Sequence, residues 1–202
     1  MQYLTAWGAL VEIAGIDQSD SVVITAASSS VGLAAIEIVK AGGATAIATT
    51  RRSDKKQFLL DAGADSVIVT EEENLEKGVM EATSGQGARV IFDPVAGPML
   101  EQLCEAAAFG GTIFVYGALA KELTPLPLFS TLSKGLSVRG YTLFEIVKDP
   151  ITFARGKEFV RQGLEAGIFC PVIDRVFPLD EIVDAHRYME SNQQKGKIVV
   201  SL

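Results

Sequence analysis

The stretch Val22-Val23-Ile24-Thr25-Ala26-Ala27-Ser28-Ser29-Ser30-Val31-Gly32 decides the fold of this chain, together with the segment 33–40 that follows it. A short run of β-branched residues leads into a turn of small residues. The turn then leads into apolar residues that recur at helical spacing. This order predicts a strand, a tight turn and a helix.

The turn matches part of the glycine fingerprint of dinucleotide-binding units. In the pattern G-x-G-x-x-G, glycine permits a sharp turn, close approach of the backbone to pyrophosphate, and tight packing of helix on strand. Here the three positions are Ala27, Ser29 and Gly32. A helix that begins near Ser30 would direct its free N–H groups and the positive end of its dipole at phosphates. We therefore predict a phosphate-binding turn, the alternative being an ordinary turn of small residues.

Four cations follow the second predicted strand, which spans residues 44–49. An NAD-binding unit carries an acidic residue roughly 20 residues after the glycine turn, where it accepts hydrogen bonds from ribose hydroxyls. This chain instead has Thr50-Arg51-Arg52-Ser53-Asp54-Lys55-Lys56. Guanidinium and ammonium groups suit a ribose 2′-phosphate, so the sequence predicts NADPH as the cofactor. The alternative is a solvated helix N-terminus, although cations there oppose the helix dipole.

The alternation of strand and helix continues along the chain. Further strands are predicted at 66–69, at a buried run that ends with Phe92-Asp93, at 112–119 and at 137–141. Helices between consecutive strands are typical of a parallel sheet covered on both faces. We predict an α/β fold with a doubly wound, parallel, six-stranded sheet. The loops after the fourth and fifth strands should face the crevice where such sheets bind ligands.

The two ends of the chain fall outside this sheet. A helix is predicted over 4–14, before the first strand. An amphipathic helix is predicted over 150–167, with an apolar stripe formed by Ile151, Phe153, Phe159, Val160 and Leu164. An extended stretch, a helix and a closing strand at 197–200 follow. We expect residues 1–170 to form the nucleotide-binding domain, and residues 171–202 to be a C-terminal appendage that returns toward another domain.

Composition limits the classes of partner. The chain has 202 residues, of which 48% are hydrophobic and 21% charged, as expected for one globular domain with or without an appendage. A net charge of −7 argues against nucleic-acid binding, so we expect a small-molecule substrate. No apolar run reaches the ~18 residues of a membrane span, and Met1-Gln2-Tyr3 does not begin a signal peptide. We expect a cytoplasmic protein without a membrane partner.

The few residues that often carry chemistry give no catalytic or metal site. Cys104 and Cys170 lie far apart in apolar contexts, so we expect both to be buried, reduced and inert. His186 is the only histidine, and we expect a surface or packing role for it. The catalytic residues stay unknown, and no metal ligands are assigned.

The chain resembles the medium-chain dehydrogenase/reductase superfamily, and within it the quinone oxidoreductase and zinc-type alcohol dehydrogenase-like branch. The likeness rests on the order and spacing of Gln2-Tyr3-Leu4-Thr5-Ala6-Trp7, the serine turn, Thr49-Thr50-Arg51, Gly63-Ala64-Asp65, Phe92-Asp93-Pro94-Val95 and Gly196-Lys197-Ile198-Val199-Val200. The resemblance implies a Rossmann-type nucleotide domain whose C-terminal segment returns into a GroES-like catalytic domain. That catalytic domain has no counterpart here, so we expect a fragment of a longer enzyme.

The resemblance also implies which residues bind the cofactor. Ser29, Ser30 and Val31 would meet the pyrophosphate, Arg51 and Lys55 the 2′-phosphate, and Val95 the adenosine side, while Tyr116, Gly117 and Tyr141 would lie nearer the nicotinamide. Serines replace the more frequent glycines of the family in the first turn.

Three functions are compatible with these features. The first is the NADPH-binding part of an oxidoreductase that transfers hydride to or from a quinone, an enone or an alcohol/carbonyl substrate. The second is a sensor or assembly module that binds NADPH without turnover, and the third is the enoyl-reductase portion of a larger synthase. Because the sixth strand would be an open edge, and family members often pair there, we also expect a homodimer.

Overall fold

Strands and helices alternate along most of the chain, as the sequence predicts. The computed structural model describes all residues from Met1 to Leu202. In chain order the elements are α1 (Gln2–Trp7), a π-helical segment (Gly8–Ile13), β1 (Ser21–Ile24), α2 (Ser30–Ala41), β2 (Thr45–Thr50), a 3₁₀ turn (Ser53–Lys55), α3 (Lys56–Asp61), β3 (Ser66–Val69), α4 (Leu75–Ala82), β4 (Ala88–Asp93), α5 (Met99–Ala106), β5 (Ala107–Val115), α6 (Leu128–Lys134), β6 (Ser137–Gly140), α7 (Phe144–Val147), α8 (Pro150–Glu165), β7 (Ile173–Pro178), a second 3₁₀ turn (Leu179–Glu181), α9 (Ile182–Glu190) and β8 (Lys197–Ser201).

The first six strands form one sheet in the order β3-β2-β1-β4-β5-β6, and all neighbouring pairs are parallel. β1 is central, because Val22 is paired with Ala46 of β2 on one side and with Val90 of β4 on the other. This is the strand order of a Rossmann-type doubly wound fold, so the predicted fold class is confirmed. The strand order reverses between β1 and β4, which places the ligand crevice at their carboxyl ends.

Apolar side chains cover both faces of the sheet. Successive residues of β1 point to opposite faces: Val22 and Ile24 belong to a cluster of 26 buried residues, and Val23 belongs to a second cluster of 14. The larger cluster contains side chains of α1 and α2, and the smaller one contains side chains of α4 and α5. Burial on both faces explains why the central strands are almost continuously apolar in sequence.

Two cations without an evident partner in the sequence join elements of the second half of the sheet. The ammonium of Lys134, the last residue of α6, donates to the backbone carbonyls of Cys104, Glu105 and Ala107. These groups lie at the end of α5, where carbonyls lack intrahelical partners. Arg139 of β6 forms an ion pair of 2.7 Å with Glu145. In both cases a different element of the fold supplies the partner.

The packing face of α8 differs from the predicted apolar stripe. Ile151 is 71% exposed and Leu164 is also exposed. Phe159 and Val160 of the predicted stripe do pack against the core, together with the buried Gly156, which the stripe did not include. A small residue in the contact face brings the neighbouring element close, and a count of apolar side chains overlooks it.

None of the helices has the length and apolar character needed to cross a membrane.

The two cysteines differ in burial. Cys104 is buried on the inner side of α5, as predicted, and burial raises the pKa of its thiol. The prediction for Cys170 is wrong, because this residue is exposed. It lies in the connection to β7, where the preceding Phe169 fills the core and the cysteine points outward.

The last two strands form a separate parallel sheet, in which Val176 of β7 is paired with Val199 of β8. This small sheet is joined to the first turn of the main domain by a parallel bridge between Ser29 and Gly196. The C-terminal segment therefore lies against the carboxyl end of the main sheet.

We expect Gly32→Ala to destabilise the protein by roughly 1–3 kcal/mol, because an added Cβ would lie 2.5 Å from the backbone oxygen of Ala27. Gly42→Ala, at the other end of the same helix, is the matched control. Its Cβ would have no contact shorter than 3.5 Å, and the residue has right-handed helical angles. Urea denaturation of both variants measures the difference. Equal unfolding free energies would contradict the packing role of Gly32.

Candidate nucleotide-binding site

A cleft of about 580 Å³ lies at the carboxyl ends of the central strands. It is bordered by the turn after β1, the ends of β2 and β3, and the loops after β4 and β5, with one wall from the C-terminal segment. Its lining residues are Ala26, Ser28, Ser29, Thr49, Thr50, Arg51, Arg52, Asp54, Lys55, Thr70, Glu71, Val95, Met99, Leu119, Ala120, Glu122, Ser191, Asn192 and Gln194. The cleft lies where the strand order predicts a ligand.

The turn after β1 leaves donors free at the start of α2. Ser29 is the N-cap residue, and its hydroxyl accepts the Gly32 N–H at 3.1 Å. The backbone N–H of Val31 has no hydrogen-bond partner in the protein, and that of Ser30, which faces Gly196 across the parallel bridge, makes no hydrogen bond of ordinary geometry. The positive end of the helix dipole adds to these two donors. The turn therefore has amides available to an anion at the helix N-terminus.

The four cations after β2 have different surroundings. Arg52 pairs with Asp54 at 3.1 Å, and Lys56 pairs with Glu73 at 3.0 Å. Arg51 is exposed, lines the cleft and makes no side-chain hydrogen bond or ion pair within the protein. Of the four, Arg51 is therefore the one whose guanidinium is free to bind an anion.

Lys55 has contacts that differ from its predicted role at a 2′-phosphate. It is only 8% exposed. Its ammonium donates to the hydroxyl of Ser28 at 3.1 Å and to the backbone carbonyls of Asn192 and Gln194 at 2.7 and 2.8 Å. Burial lowers the pKa of Lys55, and the neighbouring Asp54 opposes that shift. An ammonium has three N–H donors, so none is left for a phosphate in this arrangement.

The loop after β4 is organised by the buried carboxylate of Asp93, a residue of the Phe92-Asp93-Pro94-Val95 motif to which the sequence assigned no role of its own. Its two oxygens accept the hydroxyl of Thr25 and the backbone N–H groups of Val95 and Ala96, the latter two at 3.1 and 2.7 Å. Asp93 itself has no exposed surface. The carboxylate thus joins the end of β1 to the loop that carries Val95 into the cleft.

The residues predicted near a nicotinamide lie outside the cleft. The Tyr116 ring stacks on Phe92 with a centroid distance of 4.0 Å, and its hydroxyl is buried without a partner. Burial raises the pKa of Tyr116. Gly117 lies so close to Pro94 that a Cβ would be 2.7 Å from the Pro94 oxygen. The cleft therefore covers only the predicted adenosine and phosphate half of the cofactor.

The structure places Tyr141 differently from the prediction. The residue is 2% exposed and belongs to the larger core cluster, with an edge-to-face contact to Phe114. Its hydroxyl lies against Gly8 and has no hydrogen-bond partner. Because the side chain is enclosed by the core, a direct contact between its hydroxyl and a bound ligand would need that core to rearrange.

The wall formed by Ser191, Asn192 and Gln194 was not predicted from the sequence. These residues follow α9 and are about as far from the serine turn in sequence as the chain allows. Ser191-Asn192 is a turn signal, but nothing local indicates which part of the fold the turn meets.

The residues present do not fit a zinc ion. No three His, Cys, Asp or Glu side chains are grouped as a metal site would require. The single histidine, His186, is exposed on α9. Zinc sites in proteins use three or four such ligands, so no step of the chemistry is assigned to a metal here.

Comparisons with known proteins agree with this architecture. Residues 30–156 match the family of zinc-binding dehydrogenases. The quinone oxidoreductase of Homo sapiens is 28% identical over 202 residues, which cover 99% of this chain and 60% of that protein. The highly reducing polyketide synthase ZEA2 of Gibberella zeae is 30% identical over 209 residues, which cover 98% of this chain and 9% of the synthase. The chain thus spans less than two thirds of either relative.

A solved structure gives the same result for the fold. Escherichia coli quinone oxidoreductase, complexed with NADPH, matches with a TM-score of 0.91 and 25% sequence identity. The match covers 100% of this chain and 63% of that one. The whole chain, including its second sheet, therefore has a counterpart in a protein that binds NADPH.

We expect Asp93→Asn to lower the free energy of unfolding by roughly 1–3 kcal/mol, because an amide nitrogen cannot accept and one buried donor loses its partner. Asp180→Asn, at an exposed position in the second 3₁₀ turn, removes the same charge and is the control. Thermal and urea denaturation measure both variants. Similar stability of the two would show that the Asp93 contacts do not hold the loop.

Proposed function

Because the chain belongs to the zinc-binding dehydrogenase family of the medium-chain dehydrogenase/reductase superfamily, we propose that it is the NADPH-binding part of an oxidoreductase. The substrate would be a quinone, an enone or an alcohol/carbonyl compound. One observation carries the cofactor assignment: Arg51, the one unpaired cation of its cluster, borders the same cleft as the serine turn.

The residues that would hold the cofactor have separate tasks. The amides of Ser30 and Val31, next to the capping Ser29, would bind the pyrophosphate. Arg51 would bind the 2′-phosphate through two parallel hydrogen bonds. Val95 would contact the adenosine side from the opposite wall. NADPH itself supplies the hydride, and the protein contributes binding and orientation.

The nicotinamide end is less completely defined by this chain. Tyr116 and Gly117 would lie near it through the loop after β5, and Tyr141 would act through packing rather than through its buried hydroxyl. No side chain here is assigned as a catalytic acid. We propose that the substrate and the remaining catalytic groups meet the cofactor in a further domain.

That further domain fits the division predicted from the sequence. We propose that residues 1–170 form the nucleotide-binding domain and that residues 171–202 return toward a GroES-like catalytic domain. The second sheet supports this, because Ile173 and Val176 of β7 are apolar and exposed. Without the catalytic domain the chain would bind the cofactor but turn over no substrate.

The likeness to a polyketide synthase favours one alternative, the enoyl-reductase portion of a larger synthase. Carrier domains elsewhere in the full-length protein would identify that case. A sensor or assembly module without turnover is the other alternative, and the lack of an upstream substrate domain would identify it.

A cytoplasmic location is supported by two cysteines that form no disulfide.

We expect calorimetric titration to give preferential binding of NADPH over NADH, and Arg51→Gln to weaken NADPH binding by roughly 10- to 100-fold while NADH changes little. Arg187→Gln removes the same charge from exposed α9, outside the cleft, and should leave both affinities unchanged. Equal losses for the two nucleotides would contradict a 2′-phosphate contact. Absence of binding by the unchanged chain would contradict the cofactor proposal itself.

We also propose that two copies associate through β6. This strand pairs only with β5, so its outer edge has free backbone groups. The adjacent α6 buries none of its residues, and Phe129 is 87% exposed. Light scattering coupled to size exclusion, at micromolar concentration, should give twice the 21.5 kDa mass of one chain. Elution of a monomer alone would contradict the dimer.

A further inference from the structure

The loop between α9 and β8, residues Ser191–Gly196, is held against the serine turn and forms one wall of the cleft. We refer to it as the return loop. The Gly196 N–H donates to the backbone oxygen of Ser28 at 3.1 Å, and Gly196 also bridges to Ser29. A side chain of the loop adds to these backbone contacts, because the ammonium of Lys195 donates to the backbone oxygen of Asp54 and lies over the Phe58 ring.

Lys55 makes two hydrogen bonds that hold this loop. Its ammonium is bonded at once to Ser28 in the turn and to two backbone oxygens of the return loop, Asn192 and Gln194. The lysine and these carbonyls are separated by 137 and 139 residues in sequence. One side chain therefore connects the phosphate-binding turn with the C-terminal segment.

The charges around Lys55 argue that this arrangement is a structural one. Burial lowers its pKa, and the nearby cations Lys195, Arg51 and Arg52 lower it further, against the opposing effect of Asp54. A buried cation beside other cations is unfavourable unless its N–H groups are satisfied. The three oxygens accept hydrogen bonds from all three N–H donors of the ammonium. The protein itself therefore supplies the acceptors that a phosphate would otherwise supply.

We propose that Lys55 is a positioning residue, which fixes the return loop to the serine turn and so builds a wall of the cleft, and that recognition of the 2′-phosphate rests on Arg51. The part that concerns the phosphate rests on the proposed NADPH binding. The part that concerns the loop does not.

Hydrogen exchange on the full chain without nucleotide tests the loop. In Lys55→Met, we expect the amides of Gly196 and Lys197 to exchange faster, by roughly tenfold or more, because three hydrogen bonds from a charged group are lost. Lys56→Met removes the same charge from the adjacent residue, which pairs with Glu73 and does not line the cleft. Its return loop should exchange as in the unchanged chain. Unchanged exchange in Lys55→Met would overturn the proposal.

Titration with NADPH and with NADH tests the division of roles. Replacement of a positioning residue should weaken the binding of NADPH and of NADH by the same factor. Replacement of a 2′-phosphate ligand should weaken the binding of NADPH alone. Loss confined to NADPH, relative to the Lys56→Met control, would overturn the proposal. If the unchanged chain binds neither nucleotide, the proposed cofactor fails, and the exchange result alone decides the role of Lys55 in the loop.

Lys55→Arg separates charge from geometry and serves if Lys55→Met does not fold. A planar guanidinium keeps the charge but cannot direct three donors to the same three oxygens. The loop should therefore still exchange faster, and the preference for NADPH over NADH should persist. Exchange like that of the unchanged chain would show that charge alone suffices, which contradicts positioning by the three bonds.

Discussion

The contact between Gly32 and the backbone of Ala27 is the constraint on which the rest of the site depends. Because no side chain separates them, α2 starts directly against the end of β1, with the first turn of the helix facing the crevice. The position of the amides of Ser30 and Val31 follows from that placement. Gly32 is the only glycine of the turn, and Ala26 adopts a left-handed φ of 46° there although it carries a side chain.

Which cation of the cleft is free to bind an anion depends on the ion pairs that the side chains form, and the number of cations does not decide it. The sequence presents four cations together, and each carries a charge that would suit a phosphate. In the folded chain Arg52 and Lys56 are neutralised by acids, and Lys55 is buried against oxygens. Only Arg51 remains available. Of four basic residues that lie close together in the sequence, only one thus has a side chain free to bind an anion in the structure.

This difference shows which features a sequence can predict. The central strands were predictable because burial on both faces of the sheet makes them short, continuous runs of apolar residues, as Val22, Val23 and Ile24 illustrate. The helix after β1 was predictable from the helical spacing of its apolar residues. The roles of Lys55 and Asp93 were not, because both depend on partners from distant elements. The exposure of Cys170 was mispredicted for a related reason: apolar neighbours in sequence do not determine which side of the chain faces the core.

The return loop shows how such a distant contact shapes the cleft. A binding site formed only by the strand ends would be complete within residues 1–170, yet the cleft has a wall from Ser191, Asn192 and Gln194. The loop that forms this wall leads directly into β8, whose sheet has exposed apolar residues. A movement of that sheet against any partner domain must therefore either break the Lys55 contacts or move the wall of the cleft with it. The three hydrogen bonds of Lys55 thus connect the proposed nucleotide site to the surface where the chain would meet the rest of an enzyme.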